Sequence, residues 1–301
     1  MSRLLYILLG LLVIMAAEAQ EKSVLYSHYS FNGLAINPGY TGSHDMLSIS
    51  MSHRSQWVGF EGAPSYNTLG IHAPFKNTRM GLGLLVMNES IGLRGYTAIY
   101  ANYAHRMNLG SGKLSLGLKG GISMGRMDPS DLDDDIIFSD NSTRYLLPNF
   151  GIGAYYYNKK FHAGISVPLL LGYDATENGE VTAYHDFSRY AYYLTAGVKL
   201  YLAQEWQIEP SALLEYDKSG GLIADAGAGI WYRDVLKVGA SYRSKQAIIM
   251  LLDFKINYQL RAGIAYDYGL NALNDYNRSS FEFALEYNFG YRIKASNPTV
   301  F

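Results

Sequence analysis

The sequence predicts an all-β fold, a transmembrane antiparallel β-barrel of about fourteen strands following a cleaved signal peptide. Three observations carry this expectation: an export signal at the N-terminus, a composition rich in tyrosine and glycine but poor in charge, and long stretches of period-two alternation with one uncharged face.

The export signal comes first along the chain. Met1-Ser2-Arg3 gives a positive start, Leu4 to Ala17 is an unbroken apolar run, and Ala17-Glu18-Ala19 supplies small residues at the spacing that a signal peptidase reads. Cleavage is expected after Ala19, which makes residues 1–19 the signal peptide. The apolar run falls short of the roughly 20 residues that a membrane-spanning helix needs.

The whole chain holds 27 Tyr and 31 Gly, all but Tyr6 and Gly10 beyond the signal peptide, with 17% charged residues. Aromatic rings suit strand ends at a membrane interface, and glycines suit a crowded barrel interior. The absence of cysteine excludes disulfides, thiolate metal sites and lipid attachment through cysteine. A net charge of -1 offers no basic footprint for nucleic acid. No cofactor is expected.

Residues 20–45 are read as an N-terminal periplasmic segment, 46–291 as the barrel, and 292–301 as a periplasmic C-terminal tail. The first strands are read around Leu47 to His53, Tyr66 to Ala73, Met80 to Met87 and Tyr96 to Arg106, the lipid-facing side of the last being left open. From Leu114 the alternation is regular, because successive strand side chains point to opposite faces. Leu114, Leu116, Leu118, Ile122 and Met124 oppose Lys113, Ser115, Gly117, Lys119 and Ser123; Phe150 to Tyr156 repeats the pattern, and Phe161 to Val167 follows. Tyr190 to Leu202, Trp206 to Tyr216, Ala224 to Tyr232, Leu236 to Tyr242, Ile248 to Ile256, Leu260 to Tyr268 and Phe281 to Tyr291 complete the count. Throughout this second half the apolar face is free of charge, as lipid contact demands: a lysine or arginine there costs about 2–4 kcal/mol at the bilayer midplane.

Connection lengths alternate, as they do between the outer and periplasmic ends of such barrels. The longer connections are Arg54 to Pro64, Asn88 to Gly95, Arg126 to Leu147, Pro168 to Phe187 and Gly269 to Ser279. Those between them are brief, from Lys76-Asn77-Thr78 to Asn257-Tyr258-Gln259, although Asp217 to Gly221 and Arg243 to Gln246 are short as well. This assignment puts both termini in the periplasm.

The inward positions carry both signs, Lys119, Lys199, Lys237, Lys255 and Arg261 against Glu209, Glu215, Asp225, Asp253, Asp267, Glu282 and Glu286, beside Tyr155, Tyr157, Tyr193, Tyr201 and Trp231. A selective porin calls for rings of one sign, so this mixture reads as a cross-linked, largely filled lumen. The acidic run Asp128 to Asp140 lacks the Asp-Gly spacing of a calcium loop and reads as a solvated loop. The seven histidines show no second ligand at metal spacing. Ser50 and Ser52 near His53 and His72 suggest a lumen face rather than a catalytic triad, so the chain is read as not an enzyme.

One cluster has no explanation in alternation. Asn37-Pro38-Gly39-Tyr40-Thr41-Gly42 leads into the first strand, and Arg54-Ser55-Gln56-Trp57-Val58-Gly59-Phe60-Glu61-Gly62-Ala63-Pro64 sits at its far end. These segments resemble the PorP/SprF family of type IX secretion system membrane proteins, which opens with an Asn-Pro-Ala-Tyr-Ala-Gly-like segment followed by Arg-x-Gln-Trp-x-Gly-Phe-x-Gly-Ala-Pro. Gly39 and Thr41 stand where the family usually has alanine. The candidate motif and partner-binding residues are therefore Asn37, Pro38, Tyr40, Gly42, Arg54, Gln56, Trp57, Gly59, Phe60, Gly62 and Pro64. Two readings of the Arg54 to Pro64 loop stand side by side: folding over the barrel mouth, or direct partner contact.

The resemblance implies a non-enzymatic role in protein export and gliding motility at the outer membrane of Bacteroidota. Its partners would be type IX components in the periplasm and outer membrane, the C-terminal signal domain of a secreted client or adhesin, and outer-membrane lipid. The alternative is a porin or hydrophobic-solute transporter.

Overall fold

Alternating sequences become stable strands only when each face meets a solvent that suits it, and closure of the sheet removes the unpaired edges. The computed structural model describes residues 26–75, 79–127, 143–175, 181–218, 220–244, 246–270 and 279–290. The signal peptide, the acidic run Asp128 to Asp140 and the tail 292–301 lie outside them.

The wall begins with β1 (Ser48–Ser55), β2 (Ser65–Phe75), β3 (Met80–Ile91), β4 (Arg94–Leu109), β5 (Gly112–Met127), β6 (Thr143–Tyr157) and β7 (Phe161–Val167). A small hairpin, β8 (Gly172–Ala175) with β9 (Val181–Tyr184), stands outside the wall. The wall resumes with β10 (Tyr192–Val198), β11 (Leu200–Tyr201), β12 (Trp206–Asp217), β13 (Gly221–Tyr232), β14 (Leu236–Arg243), β15 (Ala247–Lys255), β16 (Leu260–Gly269) and β17 (Ser279–Asn288). β10 and β11 pair with β12 in one register and are a single wall strand interrupted at Lys199, so the wall has fourteen strands, as expected. Every pairing is antiparallel; β1 joins both β2 and β17, and β10 joins both β7 and β12. The barrel is closed.

Register fixes which side chains point in. Ser48 opposes His72 and Asn288, and the same parity carries Ser52, Arg54, Thr68, Leu85, Tyr100, Lys119, Asp253 and Glu282 into the interior. The opposite parity turns Leu118 (58% exposed), Ile152 (46%), Val238 (57%) and Leu285 (48%) outward, where lipid replaces water. On β4, the strand left open in the sequence, Ile99 and Met107 point out while Tyr100 and Arg106 are buried inside.

Four expectations are corrected. The Asn88 to Gly95 connection contracts to a turn at Gly92-Leu93, because β3 and β4 run on past the membrane. β4 and β5, with 16 residues each, exceed the about 9–11 that a tilted crossing needs. Tyr201 shares the inward parity but lies at a rim and is 66% exposed, so it does not fill the lumen. The Pro168 to Phe187 connection contains the β8–β9 hairpin. Finally, residues 20–45 were set apart from the barrel, yet from Tyr26 onward they fold inside it: Tyr26, Phe31, Leu34, Ile36, Asn37 and Thr41 are all buried.

Candidate functional site: a filled lumen and its rim

The segment from Tyr26 to Asp45 has no regular period, so it cannot add a strand to the sheet. It holds one helical turn (Gly33–Ile36) and a short 3-10 turn (Pro38–Tyr40) instead. A chain so irregular leaves many backbone groups to satisfy, and the inward polar residues of the wall satisfy them.

The first turn sits among charges. Glu282 Oε2 accepts from the backbone N–H of Ser27 at 2.7 Å and of His28 at 3.2 Å, while Oε1 accepts from Asn32 Nδ2 at 2.8 Å. Arg54 donates to Ser27 Oγ and to Asp267 Oδ2, each at 2.7 Å. Arg243 pairs with Asp225 at 3.1 Å and donates to the Tyr26 carbonyl at 2.9 Å. Arg261 lies over the Phe31 ring, 3.9 Å from its centroid, and pairs with Glu286 at 3.7 Å. The Tyr26 hydroxyl pairs with Thr68 Oγ1 at 3.0 Å and that of Tyr29 with Ser211 Oγ at 2.6 Å.

Between these polar clusters the interior is apolar. Leu34, Ala35 and Ile36 pack with Leu85, Ala98, Tyr100, Tyr193 and Leu213, wall residues that break the polar pattern of the inward face. Those out-of-phase apolar residues are the signal in the sequence that an apolar partner occupies the lumen.

The motif Asn37 to Gly42 occupies the far half of the segment. Asn37 Oδ1 caps the 3-10 turn by accepting from the Gly39 N–H at 2.8 Å, and its Nδ2 donates to the carbonyls of Ala154 at 3.0 Å and Ile165 at 3.3 Å. Pro38 suits the first position of that turn, where no N–H is required. The Tyr40 hydroxyl pairs with His44 Nε2 at 2.7 Å, and its ring meets Tyr155 and His72 edge-on. Gly42, at φ +75°, donates its N–H to His72 Nδ1 at 3.0 Å, and its carbonyl accepts from Arg106 Nη1. Wall glycines admit this backbone: a side chain at Gly153 would collide with Asn37, and one at Gly117 with Gly39.

The second motif divides between lumen and rim. Arg54 belongs to the lumen. The Gln56 N–H closes the loop neck on the buried Pro64 carbonyl at 2.9 Å, and the Trp57 and Val58 N–H groups bind Ser280 Oγ and the Ser279 carbonyl at 3.2 and 3.0 Å. Trp57 holds φ +51°, a conformation that a bulky residue adopts only under constraint. Gly59 and Gly62 also lie at positive φ, and the Gly62 carbonyl accepts from the Gly92 N–H at 2.9 Å. The loop therefore runs along the rim from β17 to the β3–β4 turn, presenting Val58 (48% exposed) and Phe60 (60% exposed) to the outside.

Of the serine and histidine residues considered from sequence, Ser52 and His53 lie on opposite faces of the wall. Ser52 binds Asn32 inside at 2.8 Å, while His53 faces outward and pairs with Asn67 at 2.8 Å. Among the described residues no three His, Asp or Glu side chains meet as a metal site would require.

Two solved outer-membrane protein structures are similar to this chain. The Ralstonia pickettii toluene transporter TbuX has 10% sequence identity, a TM-score of 0.51, and an alignment covering 84% of this chain and 92% of that one. The Acinetobacter baumannii outer membrane protein Omp33 has 8% identity and a TM-score of 0.46, over 81% and 98% of the two chains. No curated protein matches the chain. The family model for type IX secretion system membrane protein PorP/SprF matches residues 18–287, and the chain belongs to that family.

Proposed function

We propose that this PorP/SprF barrel, resident in the outer membrane, is a platform rather than a pore: its rim and ends hold other components of type IX protein secretion while its lumen stays filled. The observation that carries this reading is the occupation of the lumen by the chain's own residues Tyr26 to Asp45, tied to wall strands from β1 to β17. A filled lumen directs function to the exposed surfaces. Serine does meet histidine in the lumen, Ser30 Oγ with His28 Nδ1 at 3.2 Å and His28 Nε2 with Asp253 at 2.5 Å, but His28 is 1% exposed and ties the plug to the wall, which favours a structural, non-enzymatic role.

On this proposal the partners are type IX components on the periplasmic side and the C-terminal signal domain of a secreted client or adhesin, with lipid around the wall. The client is exported or retained at the surface, and gliding motility depends on it where the client is an adhesin. Exposed aromatic and aliphatic groups on a fixed backbone, as at Val58 and Phe60, suit protein recognition. Interface residues on loops positioned by a rigid scaffold are the common arrangement.

The test is a chromosomal deletion with surface proteomics. One secreted protein is expected to be lost from the surface and to return on complementation. Normal surface display of every secreted protein in the deletion strain refutes the proposal. The transport alternative requires an open path for solute, against which the buried plug weighs. It makes a separate demand: measurable conductance or solute uptake by the purified full-length barrel in a planar bilayer.

A further inference from the structure

The lumenal segment has a direction, and its contacts trace it. Ser48 opens β1 opposite His72 and Asn288, at the end of the wall closed by the short turns. Asp45 is held at that same end by Arg106 at 2.9 Å and Lys113 at 2.7 Å, both close to the Gly110-Ser111 turn. Further toward the N-terminus, Ser166 Oγ binds the Ile36 carbonyl at 2.7 Å, and Ser52 binds Asn32 at 2.8 Å. Ser27 then meets Asp267 and Glu282, which flank the Gly269 to Ser279 connection. The Tyr26 carbonyl meets Arg243, the last residue of β14. Tyr26 thus lies at the long-connection end, and the last wall residue, Asn288, lies at the other.

From this course we propose that the N-terminus of the mature chain leaves the barrel on the long-connection face, opposite the C-terminal end. With cleavage after Ala19, the residues Gln20 to Leu25 precede Tyr26. Tyr26 already lies at the level of the rim, where its carbonyl meets Arg243 at the end of β14. A second pass of backbone back down the lumen has no room beside the buried Phe31, Leu34, Ile36 and Pro38. The consequence is a free amino terminus displayed next to the Arg54 to Pro64 rim loop. On this proposal the termini lie on opposite faces, where the connection lengths alone lead one to expect both in the periplasm.

The natural absence of cysteine makes the test clean. Single substitutions Ser23→Cys and Lys22→Cys report the N-terminus, Glu61→Cys the long-connection face, Ser111→Cys the short-turn face, and Ser296→Cys the C-terminal tail. Each variant, checked for heat-modifiable migration as a folded barrel, is treated with a membrane-impermeant maleimide on intact and on permeabilised cells. Labelling of Ser23→Cys and Lys22→Cys on intact cells, together with Glu61→Cys, is expected; Ser111→Cys and Ser296→Cys should gain label only after permeabilisation. If both N-terminal variants instead label only in company with Ser111→Cys and Ser296→Cys, the threading is wrong. Their failure to label under either condition also overturns it, since the terminus is then not displayed.

Discussion

Replacing Arg54 with methionine removes the positive charge at the centre of the upper lumen while keeping an apolar stem of similar reach. In the wild type the guanidinium is 3% exposed and touches Ser27 Oγ and Asp267 Oδ2 at 2.7 Å, with Glu282 Oε2 at 3.6 Å. Glu282 keeps its three hydrogen bonds from Ser27, His28 and Asn32 in the variant, so it stays satisfied. Asp267 keeps only the Ser27 hydroxyl and Arg243, the latter at 3.7 Å. Breaking one side of a buried pair costs about 3–5 kcal/mol, and the remaining Arg243 puts Arg54→Met near the lower figure. The double variant Arg54→Met/Asp267→Asn removes the stranded charge, and the coupling between the two sites should lie near the upper part of the roughly 0.5–3 kcal/mol seen for contacting residues. Denaturant unfolding of the refolded barrel in detergent micelles, followed by tryptophan fluorescence, measures both quantities. Loss of less than about 0.5 kcal/mol in Arg54→Met, the range of ordinary surface substitutions, refutes the assignment of Arg54 to the plug.

Gly117→Leu should unseat the plug, because a side chain there collides with the Gly39 backbone, whereas the outward Gly120→Ala meets only Phe150 at 3.4 Å and should leave the barrel as stable as wild type; limited proteolysis after Tyr26 distinguishes them. Ala226→Arg puts a charge on the outward face opposite Ala212 and Tyr242, and should cost about 2–4 kcal/mol in the same unfolding assay if that face meets lipid. Val58→Ser with Phe60→Ser should leave unfolding unchanged, since both side chains are exposed, while lowering recovery of the secreted client with the purified barrel. Deleting residues 26–45 should turn a silent barrel into a conducting one in a planar bilayer, provided that the wall still closes; silence in a folded deletion barrel shows that the plug is not what blocks the lumen.

The wall was legible because its two faces meet different media, so each residue of a strand declares its side. Legibility ended where that contrast ended. Past the membrane both faces of β3 and β4 are wet, apolar alternation gives way to Asn88 and Glu89, and a strand pair there looks like a loop. The lumenal segment was illegible for a different reason. Its burial depends on partners remote in the chain, as when Ser27 meets Asp267 and Glu282, separated from it by 240 and 255 positions. No local pattern encodes such a pairing. The mixed inward charges do cross-link the wall, as Lys237 with Asp253 at 2.7 Å and Arg243 with Asp225 at 3.1 Å, but Asp253, Asp267 and Glu282 also bind the plug, which a strand-by-strand pattern does not reveal. Arg54 was placed at the head of a loop, although the parity of Ser48, Ser52 and Arg54 already pointed it inward.

The two motifs that carry the family resemblance turn out to secure opposite ends of one element. Asn37 to Gly42 lock the segment against β4, β6 and β7 near the short turns, and Arg54 locks Ser27 near the long connections. Gln56 and Trp57 then fix the rim loop to Pro64 and β17. Most of the matched residues therefore satisfy backbone groups or buried charge within the chain itself, and few remain free to bind anything else. A motif of this kind defines a plugged barrel, not the protein that the barrel serves. On the function proposed above, discrimination among clients would reside in exposed residues at the rim: Val58 and Phe60 within the motif loop and Phe187 (69% exposed) in the long connection after β7. Exchanging the 168–191 connection between two members of the family should move client choice with the loop and leave the plugged wall intact.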